Sequence, residues 1–200
     1  GTDQKLTYYN CYVIPSPNDS RRGIIKTLGI MTEIFSRGGG VGINISTLRP
    51  KHAYVKGVNG RSSGAVLWGA LYAFATGLIQ QGGSRRGALM LMMNDWHPDV
   101  YNFIDSKRSA GQITNANISV AISDKFMDQM KKDGDWQLKF PDFSDDRYDK
   151  EWNGNIDQWE EQGGKVKIYK TVKAREMWNK IISSAWASAE PGLFFIERYN

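Results

Sequence analysis

Two hundred residues are enough for one domain with a real core, or for a piece of a larger one. With 40% apolar and 24% charged residues the composition is that of a globular protein; it excludes disorder, and no apolar run approaches the roughly 20 residues of a membrane span. A single cysteine excludes an internal disulfide and a cysteine-rich zinc site, and with the polar start Gly1-Thr2-Asp3-Gln4-Lys5 it sets a cytoplasmic location away from membranes as the expectation.

The net charge of +5 is unevenly distributed. Arg21, Arg22, Arg37, Arg49, Lys51, Lys56, Arg61, Arg85 and Arg86 fall in the first half, whereas Asp142 to Glu161 is acidic and rich in tryptophan. The basic half favours anionic ligands such as nucleotides. Direct nucleic-acid binding is not expected, because the arginines sit singly beside glycine turns instead of forming a stripe with exposed aromatics.

In chain order, Tyr8 to Ile14 reads as a strand ended by Pro15 and Pro17. Asp19 or Ser20 then caps a helix on which Ile24, Ile25, Leu28, Met31, Ile34 and Phe35 recur at helical spacing until Gly38. Val41 to Ile45 is a second strand. Ser62 or Ser63 caps a helix running to about Gln80, with Val66, Leu67, Leu71, Phe74, Ala75, Leu78 and Ile79 as its apolar face. Ala88 to Met93 is apolar at every position, as a strand buried on both faces should be. Pro98 opens a short helix to Ile104, Asn117 to Ile122 is a strand, and Ser123 caps a helix from Asp124 to Lys131. Trp136 to Phe140 and Lys165 to Tyr169 form a hairpin excursion near 134–170. Val172 to Ala189 is a helix with Met177, Trp178, Ile181, Ile182, Ala185 and Trp186 inward, and Leu193 to Ile196 is a last strand. Repeated strand-helix-strand units predict an α/β fold with a parallel sheet or barrel.

Four constellations carry candidate chemistry. Gln80-Gln81-Gly82-Gly83-Ser84-Arg85-Arg86-Gly87 is a doubly cationic glycine loop, suited either to closing on phosphate or to capping a helix with solvated arginines. Arg37-Gly38-Gly39-Gly40-Val41-Gly42 has the order helix, glycines, strand, which does not fit a dinucleotide fingerprint; it reads as a helix cap and tight turn, or as a surface against which a sugar lies. Cys11 sits mid-strand, either as a small buried hydrophobe or as a thiol facing a barrel interior shared with Gly39 and Gly40. Trp96-His97-Pro98-Asp99 favours a satisfied structural histidine, and no metal site is expected.

Taken together, Asn10-Cys11-Tyr12-Val13-Ile14-Pro15, Gly38-Gly39-Gly40-Val41-Gly42-Ile43-Asn44, Leu48-Arg49-Pro50, Ser62-Ser63-Gly64, Gln81-Gly82-Gly83-Ser84-Arg85-Arg86-Gly87, Asn94-Asp95-Trp96-His97-Pro98-Asp99 and Glu190-Pro191-Gly192 resemble ribonucleotide reductase catalytic subunits, in order and spacing across nearly the whole chain. Pro15 and His97-Pro98-Asp99 are most similar to the adenosylcobalamin-dependent (class II) branch. The resemblance implies part of a ten-stranded α/β barrel that replaces the ribose 2′-hydroxyl of a ribonucleotide by hydrogen, with adenosylcobalamin as cofactor held outside this chain. It makes Cys11 one of two reducing thiols, Asn10, Gly39 and Gly40 substrate-contacting, and Asp19, Ser20, Arg49 and Lys56 part of a site for a deoxynucleoside triphosphate effector. Gln81 to Arg86, with Arg85 and Arg86, matches the mobile loop that relays effector identity. The family's Asn-x-Cys-x-Glu segment, second reducing cysteine, Ser/Thr-rich phosphate loop and C-terminal thiol pair have no counterpart in these residues. The expectation is therefore the first part of a reductase barrel, completed by the remaining half and served by a thiol reductant such as thioredoxin. The rival reading is a non-catalytic nucleotide-binding module derived from a reductase.

Overall fold

A computed structural model describes residues 7–81, 85–108 and 112–199. Strand β1 (Cys11–Val13) is followed by α1 (Arg21–Ser36) and β2 (Gly40–Asn44). A small hairpin, β3 (Tyr54–Val55) and β4 (Gly60–Arg61), precedes α2 (Ala65–Leu78); a second, β5 (Gln80–Gln81) and β6 (Arg85–Arg86), precedes β7 (Leu89–Asn94). Then come α3 (Val100–Asp105), β8 (Asn117–Ile122) and α4 (Asp124–Lys132). The excursion is an antiparallel pair, β9 (Asp135–Pro141) and β10 (Val166–Lys173), enclosing α5 (Tyr148–Glu151) and α6 (Ile156–Glu161). Helix α7 (Ala174–Ser188) leads to β11 (Gly192–Phe195).

Strands β1, β2, β7, β8 and β11 form one parallel sheet in chain order. Right-handed crossovers that always step in the same direction leave their helices on the same side of the sheet. The core follows from this: Val41, Ile43, Leu89, Leu91, Ile118 and Val120 of the sheet are buried with Ile24, Met31, Phe35, Tyr72, Phe103, Met177 and Ile181 of the helices. The other face carries Cys11, Val13, Gly40, Gly42 and Met90, and is open toward the N-terminal ends of the strands.

That one-sided cover corrects the reading of β7 as buried on both faces. Leu89, Leu91 and Met93 are buried, while Met90 is 38% exposed, because alternate side chains point to opposite faces. Helix faces are corrected too. In α2 the buried residues are Ala65, Val66, Gly69, Tyr72, Ala73 and Thr76, and Leu67, Phe74 and Leu78 are exposed. Gly69 sets this rotation: a Cβ there would lie 3.2 Å from both Ile45 Cδ1 and Leu91 Cδ1, so the helix backbone rests directly on the sheet. In α7 the inward stripe is Ala174, Met177, Ile181 and Ser184; Trp186 is 91% exposed and Ile182 also faces outward. Ile25 of α1 is likewise exposed.

Helix ends obey local chemistry. Ser20 Oγ accepts from Gly23 N, and at the other end Gly38, at φ 89°, donates to Phe35 O while Gly39 donates to Ile34 O. That pattern of two reversed hydrogen bonds is the Schellman cap the glycine run allows. Helix α2 starts differently from expectation: its cap is Gly64 at φ 94°, and Asp99 Oδ2 accepts from Ala65 N from across the fold. Ser62 instead accepts from Gly64 N, tightening the approach to the helix.

Candidate functional site

Residues in register on parallel strands present their side chains to the same face, and Cys11 pairs with Gly40. Cys11 is exposed; a Cβ on Gly40 would sit 3.3 Å from its Sγ. Glycine therefore leaves the thiol uncovered. Both residues line a cavity of about 600 Å³ at the N-terminal ends of β1, β2, β7 and β8, with Gly42, Met90, Asn115 and Asn117 among its walls. Asn115 reaches this wall because Gly77 makes room: a Cβ there would lie 2.5 Å from Asn115 Nδ2. Asn10 is exposed beside Cys11, and its carbonyl accepts from Gly40 N at 2.7 Å. The expectation that Gly39 shares the interior with Gly40 is corrected. A Cβ on Gly39 would meet Ile34 Cγ2 at 2.7 Å and the Tyr12 ring at 3.0 Å, so this position faces α1, as the alternation from Gly40 requires.

A second cluster is built on Asp19 and Arg49. Asp19 Oδ1 accepts from Arg49 N at 3.0 Å, and Oδ2 accepts from Arg49 Nε at 2.6 Å and from the Tyr148 hydroxyl at 2.6 Å. Arg49 Nη1 donates to Tyr54 O, which ties the pair to the β3–β4 hairpin, and its guanidinium lies 4.8 Å from the Phe143 ring centroid. Among the described residues no hydrogen-bond partner holds Nη2. Ser20 follows Asp19 and serves α1 as its cap; Lys56 stands exposed on the β3–β4 hairpin, with no ion-pair partner among the described residues. Neither Asp19 nor Arg49 lines the Cys11 cavity.

The cationic loop forms the β5–β6 hairpin, with Gln81 opposite Arg85 and Gln80 opposite Arg86. Residues 82–84 and the side chains of Gln80, Gln81, Arg85 and Arg86 lie outside the described part. The hairpin runs straight into Gly87 and Ala88, which are walls of the Cys11 cavity.

The segment Asn94 to Asp99 is structural. His97 is fully buried; its Nδ1 accepts from Asp99 N and its Nε2 donates to Leu48 O, and burial lowers its pKa, so the ring is neutral. Asp99 accepts from Lys51 N as well as Ala65 N. Asp95, also fully buried, accepts from Ser123 N and Oγ through Oδ2, while Oδ1 has no partner among the described residues; burial raises its pKa to about 7. It borders a polar cavity of about 560 Å³ at the opposite ends of the strands, with Asn44, Ser46 and Asn94. No group of three or more His, Cys, Asp or Glu side chains among the described residues is arranged to hold a metal ion, and no described helix is long and apolar enough to cross a membrane.

Sequence reasoning missed Tyr148, Asn115 and Asn117. The asparagines had a faint signal, polar residues at alternate positions leading into a mostly apolar strand. Tyr148 had none.

The family description "Ribonucleotide reductase, barrel domain" matches residues 9–200. The chain is 37% identical over 191 residues to a "Vitamin B12-dependent ribonucleoside-diphosphate reductase" of Thermoplasma acidophilum, covering 95% of this chain and 22% of that protein. It is 32% identical over 201 residues to a protein of the same description from Mycobacterium tuberculosis, covering 100% of this chain and 26% of that one. It is also 30% identical over 197 residues to a "Ribonucleoside-diphosphate reductase large subunit" of Variola virus, covering 96% and 25%. The chain thus spans about a quarter of the length of these relatives. A family match over nearly every residue, on a parallel sheet wound in chain order with an exposed thiol on its open face, establishes that this chain belongs to the ribonucleotide reductase barrel-domain family.

Proposed function

We propose that this chain is part of a ribonucleotide reductase and supplies one of the two thiols that reduce the ribose. In the balanced step, the C2′–OH bond breaks and a C2′–H bond forms. Two thiols lose two electrons and two hydrogens to become a disulfide, and the hydroxyl departs as water. Cys11 is the one cysteine in the 200 residues, so its partner thiol belongs to the rest of the enzyme. The observation carrying this reading is the uncovered Cys11 thiol against Gly40, in a cavity of about 600 Å³, a volume typical of small-molecule sites. An exposed thiol in a cavity favours the enzyme over a purely regulatory module, which has no use for it. Asn10 and Gly40 would form the substrate side.

Asp19, Ser20, Arg49, Lys56 and the Gln81 to Arg86 hairpin would form the effector site for a deoxynucleoside triphosphate. Arg49 Nη2 and Lys56, neither held by a side-chain partner among the described residues, would be its anion-binding groups. The hairpin's continuation into the walls of the Cys11 cavity supports a relay between effector and substrate. Adenosylcobalamin, suggested by the B12-dependent relatives, supplies radical chemistry when bound. His97 offers it no free ring nitrogen, and no residue of this chain is assigned to it.

The test is Cys11→Ser in the enzyme assembled with the remaining reductase polypeptide and a thiol reductant such as thioredoxin. Serine keeps the volume but cannot form a disulfide. Multiple-turnover deoxynucleotide production should be lost while nucleotide binding persists; turnover at the wild-type rate would refute the assignment.

A further inference from the structure

The pair Asp19–Arg49 is held by a part of the chain more than ninety residues away in sequence. Both carboxylate oxygens of Asp19 accept from Arg49, and the remaining strong contact is the Tyr148 hydroxyl at 2.6 Å. Tyr148 is 5% exposed and packs among Phe140, Phe143, Trp152 and Trp159. Phe143 faces the Arg49 guanidinium, the weakly hydrated cation best suited to lie against a ring. Two more contacts dock the same aromatic unit on the backbone leading into Arg49 and Asp19. Trp152 Nε1 donates to Thr47 O at 2.9 Å, and Thr47 Oγ1 donates to Pro17 O at 2.6 Å. Gly154, at φ 95°, allows a close fit, since a Cβ there would lie 2.6 Å from Thr47 Cγ2.

We infer that Tyr148 is a positioning residue for the Asp19–Arg49 pair, and that the β9–β10 excursion thereby sets the geometry of the anion-binding edge of Arg49. This rests on the reading of that pair as the deoxynucleoside triphosphate site. The physical reason is directional. A carboxylate offers about four acceptor positions, and three are filled by Arg49 N, Arg49 Nε and Tyr148, which fixes its plane and so the plane of the guanidinium. Burial and the negative charge of Asp19 raise the Tyr148 pKa, so the hydroxyl stays a donor at every working pH. Without that donor Asp19 could rotate, and the guanidinium plane of Arg49 would no longer be fixed.

The experiment uses the assembled reductase and the four deoxynucleoside triphosphates as calorimetric probes, with thermal unfolding measured alongside. Tyr148→Phe keeps the ring in its aromatic cluster and removes only the hydroxyl. We expect it to weaken triphosphate binding about threefold to tenfold, the equivalent of one hydrogen bond, with the fold retained and the Tm lowered by only about 2–6 °C. In an Asp19→Ala background, where no acceptor remains for the hydroxyl, the same substitution should cost nothing further, a non-additivity that a merely structural role would not produce. Should Tyr148→Phe not fold, Phe143→Leu, which removes the ring facing the guanidinium, takes its place with the same expectation. Wild-type binding by Tyr148→Phe, or an equal loss in both backgrounds, overturns the inference while leaving the effector reading intact. Undiminished binding by Arg49→Ala overturns the effector reading itself, and the inference with it.

Discussion

Asp95 offers the sharpest quantitative test of the fold around the site. Its carboxyl is fully buried, its Oδ1 has no partner among the described residues, and its pKa rises from 3.8 to about 7, chiefly through burial and in spite of two hydrogen bonds from Ser123. Between these two values the folded chain keeps a proton that the unfolded chain has already released. Stability therefore falls as pH rises through this window, is fully present below it, and is flat above about 7 with respect to this group. One proton gives at most about 1.4 kcal/mol per pH unit, so three units amount to on the order of 4 kcal/mol, a large part of an ordinary domain's stability. His97, whose pKa burial lowers, contributes with the opposite sign below its ordinary value of 6.5, so a single curve would mix the two. Comparing wild type with Asp95→Asn separates them, because the amide keeps an acceptor for Ser123 and never ionises. Urea unfolding at half-unit steps from pH 4 to 8.5, at constant ionic strength, should give curves that converge toward the acid side in the expected proportion: the wild type loses on the order of 4 kcal/mol relative to the variant by pH 7 and nothing more above it. Parallel curves across the whole range would show that Asp95 titrates normally, and the burial argument would be wrong.

What could be read from the sequence was whatever is decided locally. Ser20 and Ser123 are the caps of α1 and α4, and β8 spans Asn117–Ile122 as its pattern predicts, because capping and strand patterning act over a few residues. The thiol and its glycine were legible as well, since parallel register brings Cys11 and Gly40 together once two adjacent strands are placed. The rotation of α2 was not. Its sequence is apolar on nearly every side, so only the contact of Gly69 with Ile45 and Leu91 decides which face turns inward. Nor was the support of Arg49, because Tyr148 is 129 residues from Asp19 and nothing in a tryptophan-rich acidic stretch specifies which distant carboxylate a phenol will reach. The charges of that stretch were visible; their use, as the surface of an aromatic unit docked on residues 17–19 and 47–49, required the fold.

Three further outcomes follow from the same contacts. Gly64→Ala, at φ 94° and with its Cβ 2.8 Å from Asp99 Oδ2, should cost about 1–3 kcal/mol in urea unfolding, whereas Gly29→Ala, inside α1 with open space around it, should gain about 0.5–1 kcal/mol. Phe35→Ala should cost about 3–5 kcal/mol while Trp186→Ser stays within about 0.5 kcal/mol, and similar costs for both would contradict the inward face assigned to α7. Finally, the Cys11 thiol should react with iodoacetamide in the folded chain, since it is exposed and thiol reactivity requires access. Gly40→Val tests the geometry behind that access: any Cβ at this position lies 3.3 Å from Sγ, and the two added methyls would stand over the sulfur or in the cavity beside it. The variant should therefore alkylate more slowly at unchanged circular dichroism. An unchanged rate would mean that the thiol is reached from a direction other than the cavity, and the pairing of Cys11 with Gly40 would lose its chemical significance.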